Sequence, residues 1–292
     1  MQLTEIAKVV KESGQPRNCF NILIYAEPKT GKTELAATIS KVPWIKNVYW
    51  FDLENGSDTL IRMALEEKLK VEHTDKITVY KIPDMPDIPM VMETMMKVLT
   101  VKKDLIICNE HGKINCVACK DAAGTKEFTG APFNIDKCTT EDVIVIDTMS
   151  ALGTSILNYY CLGKPLGFKP GWDEYGPQGR VLGDAALVIQ NAKTNFICLA
   201  HSISVDYEEN DKEIEKLYPQ VGTKNFSRTF AKHFSHVLYL EIKLGLHKGG
   251  SSTTYRKDTI AGSRNGWRLE DQKDLDLSTL FSVLNIKPKE KK

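Results

Sequence analysis

The segment AEPKTGKT, residues 26–33, constrains the fold of this chain more than any other stretch of its sequence. It follows NCFNILIYA (18–26), a short apolar run of the kind that forms a buried strand. It leads into KTELAATIS (32–40), whose alanines and leucine are typical of a helix. The sequence therefore predicts a strand, a glycine-containing loop and a helix, in that order.

The alternation of strands and helices continues along the chain. Further strands are predicted in NVYWFDLE (47–54), KITVYKI (76–82), EDVIVIDTMSAL (141–152) and TNFICLAHSIS (194–204), with helices in SDTLIRMALEEKLK (57–70) and VMETMMKVL (91–99). Apolar strands that alternate with helices indicate a parallel sheet covered on both faces. Beyond about residue 235, glycine turns separate runs typical of antiparallel strands. The predicted fold class is α/β, with a mostly parallel central sheet and antiparallel C-terminal strands.

The glycine-containing loop matches the phosphate-binding pattern G-x-x-x-x-G-K-[ST], except that Ala26 replaces the first glycine. Lys32 is expected to reach the β- and γ-phosphates of ATP, and the Thr33 hydroxyl to bind Mg²⁺. The alternative is an ordinary turn between a strand and a helix. The predicted nucleotide contacts are Glu27, Pro28, Lys29, Thr30, Gly31, Lys32, Thr33 and Glu34.

Two acidic residues stand where predicted strands end. VIVIDT ends its apolar run at Asp147, where a carboxylate can hold the Mg²⁺ shell together with Thr33. FDLENGSD ends the second strand at Glu54, where a carboxylate can orient or deprotonate an attacking water. The alternative for Glu54 is that it caps the next helix.

In this arrangement the chain resembles the RecA-type recombinase ATPases, in which the catalytic glutamate ends a similar F-I-D-x-E strand. The resemblance covers roughly residues 18–270 and rests on the order of motifs. It implies a RecA-like P-loop NTPase core, with residues 1–292 as a single domain. It also implies that Glu54 is the catalytic base and that Asp52 is a supporting carboxylate.

The segment FICLAHS (196–202) corresponds in this resemblance to the strand that ends in a γ-phosphate sensor. His201 stands in place of the usual glutamine, as in short phage RecA-like annealing ATPases. The alternative for His201 is a histidine bonded to a neighbouring strand end.

The resemblance also places two DNA-binding loops. The first corresponds to residues 159–180, rich in glycine, aromatic residues and lysine, which suit base stacking and phosphate contact. Its candidate DNA contacts are Lys164, Phe168, Lys169, Trp172 and Arg180. The alternative is that Trp172 and Tyr175 pin the loop to the core. The second loop corresponds to residues 204–234, whose second half carries Lys224, Arg228 and Lys232 at helical spacing.

Arg264, in the glycine-flanked turn AGSRNGW, is the residue that the resemblance assigns to the neighbouring subunit's nucleotide, with Lys243 or Lys248 in reserve. The alternative is a plain hairpin arginine. From residue 221 to the end the chain carries 14 Lys and Arg against 7 Asp and Glu, although its formal net charge is only +1. Contacts with nucleic acid are therefore expected from local basic patches.

The segment CNEHGKINCVAC (108–119) has no counterpart in RecA. Its Cys-x₂-His-x₄-Cys-x₂-Cys spacing predicts a zinc knuckle within an insert at residues 104–140. The alternative is a group of reduced, buried thiols. The predicted zinc ligands are Cys108, His111, Cys116 and Cys119, with Cys138 as the alternative to Cys108.

The resemblance implies an ATPase that depends on Mg²⁺, is stimulated by DNA, and binds single-stranded DNA during phage annealing or recombination. The competing hypotheses are a hexameric helicase or packaging motor, and a nucleotide-gated binding module that does not hydrolyse ATP. A homo-oligomer, ring or filament, is implied because an arginine that acts in trans needs head-to-tail contacts. A single-strand-binding protein is a further candidate partner.

The expected location is the cytoplasm. If a phage encodes the chain, this is the cytoplasm of the host cell. No run of 18 apolar residues is present to cross a membrane, and the start MQLTEIAKVV lacks the layout of a secretion signal. The tail at residues 286–292 is lysine-rich and is expected to be disordered.

Overall fold

A computed structural model of the protein describes residues 19–85, 88–122, 130–165, 167–209, 212–243, 246–250, 258–264 and 276–278. The basic tail predicted at 286–292 lies outside these ranges. Lys243 and Lys248, the reserve residues for a trans-acting cation, are described in their backbone alone.

The described strands are β1 Asn21–Ala26, β2 Asn47–Asp52, β3 Ile77–Lys81, β4 Leu105–Cys108, β5 Gly130–Phe133, β6 Asp142–Asp147, β7 Asn195–Glu209, β8 Lys212–Pro219, β9 His236–Lys243, β10 Leu246–Gly250 and β11 Gly262–Ser263. The described α-helices are α1 Lys32–Ala37, α2 Ser57–Leu65, α3 Val71–Thr74, α4 Met90–Thr100, α5 Val117–Ala122, α6 Met149–Tyr160, α7 Trp172–Asn191 and α8 Lys224–Phe230. Short 3₁₀ turns follow α1 and α8, at Thr38–Lys41 and Ala231–His233.

The main sheet has the strand order β10-β9-β1-β7-β6-β2-β3. The six strands from β9 to β3 run parallel to one another. β8 pairs antiparallel with β7, and both β10 and β11 pair antiparallel with β9. The predicted α/β fold class is thus confirmed. One detail differs, because β9 lies in the region predicted to be antiparallel and is itself parallel to β1.

Strand β1 shows how the core is built, because all six of its residues are buried. Leu23 and Tyr25 contribute to the apolar cluster on one face of the sheet, and Ile22 and Ile24 to the cluster on the other face. A strand whose alternate side chains are buried on both faces requires helices on both sides of the sheet. Because β1 is paired on both sides, it fixes the position of the loop that follows it at the C-terminal edge of the sheet.

The two segments expected to be DNA-binding loops are largely regular structure. Within residues 159–180 only the connection at 161–171 lies between helices, since Trp172, Tyr175 and Arg180 belong to α7. Within residues 204–234 the chain forms the β7–β8 hairpin and then α8. These corrections leave the basic residues at 224–232 on one short helix and the 3₁₀ turn that follows it.

The insert forms its own two-stranded antiparallel sheet of β4 and β5. Leu105, Ile107 and Phe133 of this sheet belong to the main apolar cluster. The hydroxyl of Tyr80, on β3, donates a hydrogen bond of 2.8 Å to the carbonyl of Pro132. The insert is therefore packed against the core. Among the helices of the described ranges, none is both long and apolar enough to cross a bilayer.

Candidate active site

The loop after β1 has the backbone conformation that a phosphate cradle requires. Lys29 and Gly31 both have positive φ, 64° and 91°. The carbonyl of Gly31 accepts from the N–H of Leu35 at 2.9 Å, which begins α1. Ala26 is the last residue of β1 and has no positive φ, so alanine fits where the usual pattern has glycine. The N-terminus of α1 thus faces the loop and favours bound anions.

Lys32 is buried, and its ammonium group lies inside the loop. Its Nζ donates to the carbonyl oxygens of Ala26 at 3.2 Å and Glu27 at 2.9 Å. Burial lowers the pKa of Lys32 to about 8, although the charges of Asp147 and Glu54 oppose this shift. A phosphate group would compensate this desolvated cation and restore its ordinary protonation.

The other predicted nucleotide contacts divide into two groups. Glu27, Pro28 and Lys29 are exposed at the rim of the loop, whereas Thr30 is buried and its hydroxyl donates to the carbonyl of Glu27 at 2.8 Å. Glu34 points away from the loop, since its carboxylate binds the cations of Lys68 at 2.9 Å and Arg62 at 3.2 Å.

Thr33 and Asp147 meet at the edge of the sheet. The Thr33 hydroxyl donates to Oδ2 of Asp147 at 3.0 Å. Burial raises the pKa of Asp147 to about 7, and the charges of Asp52 and Glu54 add to this effect. A β-carbon on Gly56 would lie only 2.8 Å from the same Oδ2, so the glycine keeps space beside the carboxylate. A hydroxyl and a carboxylate with space beside them suit a hard cation such as Mg²⁺.

Asp52 shapes the turn that carries Glu54. Its Oδ1 accepts from the N–H groups of Gly56 at 2.7 Å and Glu54 at 3.3 Å, and its Oδ2 from the N–H of Ser57 at 2.9 Å. These bonds occupy the carboxylate and fix the turn at the start of α2. The geometry is that of a supporting carboxylate.

Glu54 projects from this turn toward two partners on other strands. Its Oε1 accepts from the Thr148 hydroxyl at 3.0 Å, and its Oε2 lies 2.9 Å from Nε2 of His201. Burial favours a higher pKa for Glu54, but the hydrogen bonds and charge of these partners hold the pKa below its ordinary value. The side chain keeps 34% of its surface exposed. Glu54 is therefore an ionised carboxylate that water can reach.

His201 connects the carboxylate to the lysine. Its Nδ1 lies 3.5 Å from Nζ of Lys32, on the opposite side of the ring from Glu54. Parallel pairing brings this about, because His201 on β7 is level with Ala26 at the end of β1. Lys32, Thr33, Glu54, Asp147 and His201 therefore surround one crevice at the C-terminal edge of the sheet.

The family described as AAA domain matches residues 20–264, which include all five of these residues. The chain belongs to this AAA domain family. Family membership and the loop geometry together identify a nucleotide-binding ATPase domain of the P-loop type. No curated protein matches the chain.

Solved structures with some similarity to this AAA domain carry three different names. An ATPase from the type III secretion system of pathogenic bacteria has a TM-score of 0.41 and 13% identity, over 78% of this chain and 51% of that one. The RadB recombinase has a TM-score of 0.41 and 16% identity, over 87% and 84%. The flagellar accessory protein FlaH from Methanocaldococcus jannaschii has a TM-score of 0.29 and 14% identity, over 79% and 76%. The AAA domain thus spans about half of the secretion ATPase chain.

The candidate DNA contacts lie on two surfaces. Trp172 is 86% exposed at the start of α7, which excludes the alternative that it pins a loop to the core. Lys164, which lies 5.0 Å from the ring of Phe168, pairs with Glu174 at 3.4 Å, whereas Lys169 and Arg180 are exposed. The second surface carries Lys224, Arg228 and Lys232, which are all exposed on α8 and the following turn.

Arg264 lies far from the crevice of its own chain. Its N–H donates to the carbonyl of Ser235, whose own N–H donates to the side chain of Asn21 at the start of β1. The crevice is at the other end of β1, about 17 Å away at the rise of an extended strand. The guanidinium of Arg264 donates to the carbonyl of Lys232 at 3.0 Å. Arg264 therefore cannot act on a nucleotide bound to the same chain.

The four predicted zinc ligands come together in the insert. Cys108, His111, Cys116 and Cys119 have their donor atoms within 4.8 Å of one another. Cys138 does not replace Cys108, because its thiol donates to the carbonyl of Asn134 at 3.5 Å.

Sequence reasoning missed three residues of the crevice. Thr148 caps α6 by accepting from the N–H of Ala151 at 3.1 Å while it binds Glu54, and a threonine after a strand-end aspartate is a readable helix start. Gly56 carried a signal in the turn dipeptide Asn-Gly. Ser150 carried none, because its hydroxyl binds residues more than 50 positions away, at the N–H of His201 and the carbonyl of Gln220.

Proposed function

We propose that this AAA domain hydrolyses ATP with Mg²⁺ and that single-stranded DNA stimulates the hydrolysis, in annealing or recombination of the phage type. The observation that carries the proposal is the position of His201. It contacts Glu54 and Lys32 through its ring, and through its backbone it contacts the segment that leads into the basic helix α8.

Glu54 supplies the base for hydrolysis. One carboxylate oxygen takes a proton from a water molecule while the water oxygen attacks the γ-phosphorus. The bond between that phosphorus and the β,γ-bridging oxygen breaks, and ADP leaves with the electron pair. Lys32 and the N–H groups of the loop stabilise the negative charge on the transferring phosphoryl group.

Thr33 and Asp147 are the residues that would hold Mg²⁺. The ion, when bound, neutralises charge on the β- and γ-phosphates. Asp147 must be ionised for this role, and the positive charge of the ion lowers the pKa that burial has raised. Thr148 keeps Glu54 oriented, because its hydroxyl donates to Oε1 of that carboxylate.

His201 acts as the γ-phosphate sensor. Its two ring nitrogens face Lys32 and Glu54, so a γ-phosphate held by Lys32 would compete for the same imidazole. A ring that turns toward the phosphate releases Oε2 of Glu54 for water. The sensor and the base thus exchange partners when ATP binds.

A closed set of hydrogen bonds connects His201 to the DNA-binding surface. The N–H of His201 donates to the Ser150 hydroxyl at 2.9 Å, and that hydroxyl donates to the carbonyl of Gln220 at 2.7 Å. The N–H of Gln220 donates back to the carbonyl of His201 at 2.7 Å. Thr223, three residues later, caps α8 through the N–H of Phe226. A shift of His201 is therefore transmitted to the start of the basic helix over a few residues.

The basic helix borders a groove that suits a nucleic-acid backbone. The groove has a volume of about 550 Å³, and its lining includes Arg228, Lys232, Phe234 and Ile260. Exposed cations along a groove suit contact with the phosphates of a single strand, whereas Phe234 is buried and offers no free ring face for stacking. Trp172, at the start of α7, and Lys169, in the connection before it, are the candidates for a second contact with the DNA strand.

The proposal includes a homo-oligomer, in which Arg264 reaches the nucleotide of the next subunit. Support comes from its position at the opposite edge of the sheet from its own crevice. Head-to-tail contacts of this kind close into rings or extend into filaments. A single-strand-binding protein as partner and a location in the cytoplasm stay predictions.

The test is the rate of ATP hydrolysis, measured with Mg²⁺, with and without a single-stranded oligonucleotide, at several salt concentrations. We expect stimulation by the oligonucleotide that fades as salt rises, because phosphate contacts release counterions. Hydrolysis without stimulation by any nucleic acid would favour a motor with another substrate. ATP binding without hydrolysis would favour a nucleotide-gated module.

The link between sensor and helix has a matched pair of variants on α6. Ser150→Ala removes the hydroxyl that joins His201 to Gln220. Ser155→Ala removes a hydroxyl that is also buried and that accepts from the N–H of Met92 rather than from His201. We expect Ser150→Ala to lose the DNA stimulation and to keep ATP binding, and Ser155→Ala to keep both. Equal stimulation in the two variants would contradict the link.

A further inference from the structure

The thiol and imidazole groups of the insert form a compact set of four donors. Cys108 Sγ lies 3.1 Å from Cys119 Sγ, and His111 Nδ1 lies 3.3 Å from Cys119 Sγ. The Nδ1 of His111 is 3.7 Å from Cys108 Sγ and 3.8 Å from Cys116 Sγ. Ligands around a tetrahedral zinc ion are separated by about 3.8 Å between sulfurs and about 3.5 Å between sulfur and nitrogen. The donors therefore span a volume of the size that one ion occupies.

The backbone brings the donors together in two local pieces. The first is a tight turn after β4, in which Cys108 exchanges hydrogen bonds with Lys113 and Gly112, at 3.0 and 2.9 Å. It carries Cys108 and His111. The second is the start of α5, where Cys116 and Cys119 are spaced by one helical turn. Each piece supplies a pair of ligands with two intervening residues, the arrangement that converges on one metal ion.

The turn is packed on the end of β3. A β-carbon on Gly112 would lie 2.6 Å from both Cα of Ile82 and the carbonyl of Lys81, so only glycine permits the contact. The hydroxyl of Thr94, a buried residue of α4, donates to the carbonyl of Gly112 at 2.9 Å. The turn that holds two of the donors is therefore fixed to the core from two sides.

Ile82, on which Gly112 packs, is itself hydrogen-bonded to the turn that carries Glu54. The N–H of Ile82 donates to the carbonyl of Asp52 at 2.9 Å. The carboxylate of Asp52 in turn binds the N–H groups of Gly56 and Ser57. One backbone contact and a few hydrogen bonds thus separate the four-donor cluster from the candidate catalytic turn.

We propose that Cys108, His111, Cys116 and Cys119 bind one structural Zn²⁺ ion, and that this ion supports the Asp52–Ser57 turn through Gly112 and Ile82. Three sulfurs and one imidazole nitrogen are a donor set that zinc prefers, and four protein ligands make a closed, structural site. Binding of the ion does not depend on ATP hydrolysis. Its effect on turnover rests on the proposed function, in which Glu54 is the base.

The first test measures the metal in the full chain, purified under reducing conditions. We expect elemental mass spectrometry to find about one zinc ion per chain. When Co²⁺ replaces zinc, we expect the absorption bands of a tetrahedral cobalt ion bound by thiolates. Cys116→Ser should lose the metal, and Cys138→Ser, in the same insert, should retain it. His111→Cys should retain zinc where His111→Ala does not. A wild-type chain that binds neither metal, or equal losses from Cys116→Ser and Cys138→Ser, would overturn the site.

The second test measures the support of the turn without any ATP, so it separates this inference from the proposed function. Zinc is removed from the wild-type chain with a chelator, and amide hydrogen exchange is compared before and after. We expect the amides of Ile82, Gly56 and Ser57 to exchange about tenfold faster or more, while those of strand β1 change little. Readdition of Zn²⁺ should reverse the change. Metal removal that leaves these amides as protected as before would refute the support.

Discussion

Nε2 of His201 lies 2.9 Å from Oε2 of Glu54, although 147 positions of sequence separate the two residues. Glu54 follows β2 and His201 is on β7, and β6 runs between these strands in the sheet. Their side chains therefore meet across the end of β6, where Thr148 also binds Glu54. The sheet order thus places the proposed base and the proposed sensor in direct contact beside the phosphate-binding loop.

Glu54→Gln should abolish turnover and leave ATP binding intact. The amide keeps an oxygen for Thr148 and cannot take a proton from water, so we expect kcat to fall by about 10²- to 10⁴-fold. Steady-state hydrolysis and equilibrium binding of ATP are the measurements. Glu72→Gln is the control, because Glu72 is exposed on α3, which leads into the start of β3 at the sheet edge opposite Glu54. Wild-type turnover in Glu54→Gln would remove this carboxylate from the mechanism.

Gly56→Ala should weaken Mg²⁺-dependent ATP binding without unfolding the protein. The new methyl group would lie 2.8 Å from Oδ2 of Asp147 and would displace the carboxylate from its position beside Thr33. We expect a loss of about tenfold or more, most visible in Mg²⁺ titrations. Gly179→Ala is the matched control, because a β-carbon there meets nothing within 4 Å. It should stabilise α7 by about 0.5–1 kcal/mol. Identical Mg²⁺ titrations of both variants would contradict the argument.

Arg228→Ala should weaken binding of single-stranded DNA to the same extent for every sequence. Each phosphate contact that is lost should reduce the slope of log affinity against log salt by about 0.7. Fluorescence anisotropy at several salt concentrations measures the slope. Lys97→Ala removes an exposed cation that pairs with Glu93 on α4, and it should leave the slope unchanged. A slope that does not change in Arg228→Ala would exclude this helix from the DNA contact.

Trp172→Ala should reduce affinity for single-stranded DNA with little change in salt dependence. An exposed ring stacks on bases, and each such stack contributes about 1–3 kcal/mol. The fluorescence of the wild-type chain should be quenched when an oligonucleotide binds, and the variant should lack this part of the quenching. Leu65→Ala is the control, since Leu65 is an apolar residue that is 79% exposed on α2. Equal affinities for wild type and Trp172→Ala would show that the ring has another role.

His236 should make the folded chain sensitive to acid. Burial lowers the pKa of His236 to about 4, and the charge of Arg264 contributes. Between pH 6.5 and 4 the unfolded chain binds more protons than the folded chain, so the free energy of unfolding falls as pH falls. The largest change in the free energy of unfolding from this one group is about 3 kcal/mol. Urea unfolding at several pH values in this range gives the slope of the unfolding free energy against pH. This slope should be smaller for His236→Asn, whose amide can still bind the Ser263 hydroxyl. Equal slopes of the unfolding free energy against pH in the wild type and the variant would contradict the lowered pKa of His236.

The local elements of the fold could be predicted from the sequence. The run that ends at Ala26, the glycine at 31 and the helix that follows are specified within about 15 residues, because strand and helix periodicities are local properties. Helix α7 was missed because WDEYGPQGR contains two glycines and Pro177. It forms because Glu174 accepts from the N–H of Gly171 at 2.8 Å, and because Leu182, Ala186 and Ile189 are buried against the core.

The sequence by itself determined the α/β class, the phosphate-binding loop, the acidic strand ends and the spacing of the cysteines and histidine in the insert. Only the tertiary structure decided which of these groups meet. The strand order puts β7 between β1 and β6, and this brings His201 to Lys32 and Glu54. The packing of the insert likewise selects Cys108 over Cys138. Contacts of this kind depend on the burial of whole faces of the sheet, which no short segment encodes alone.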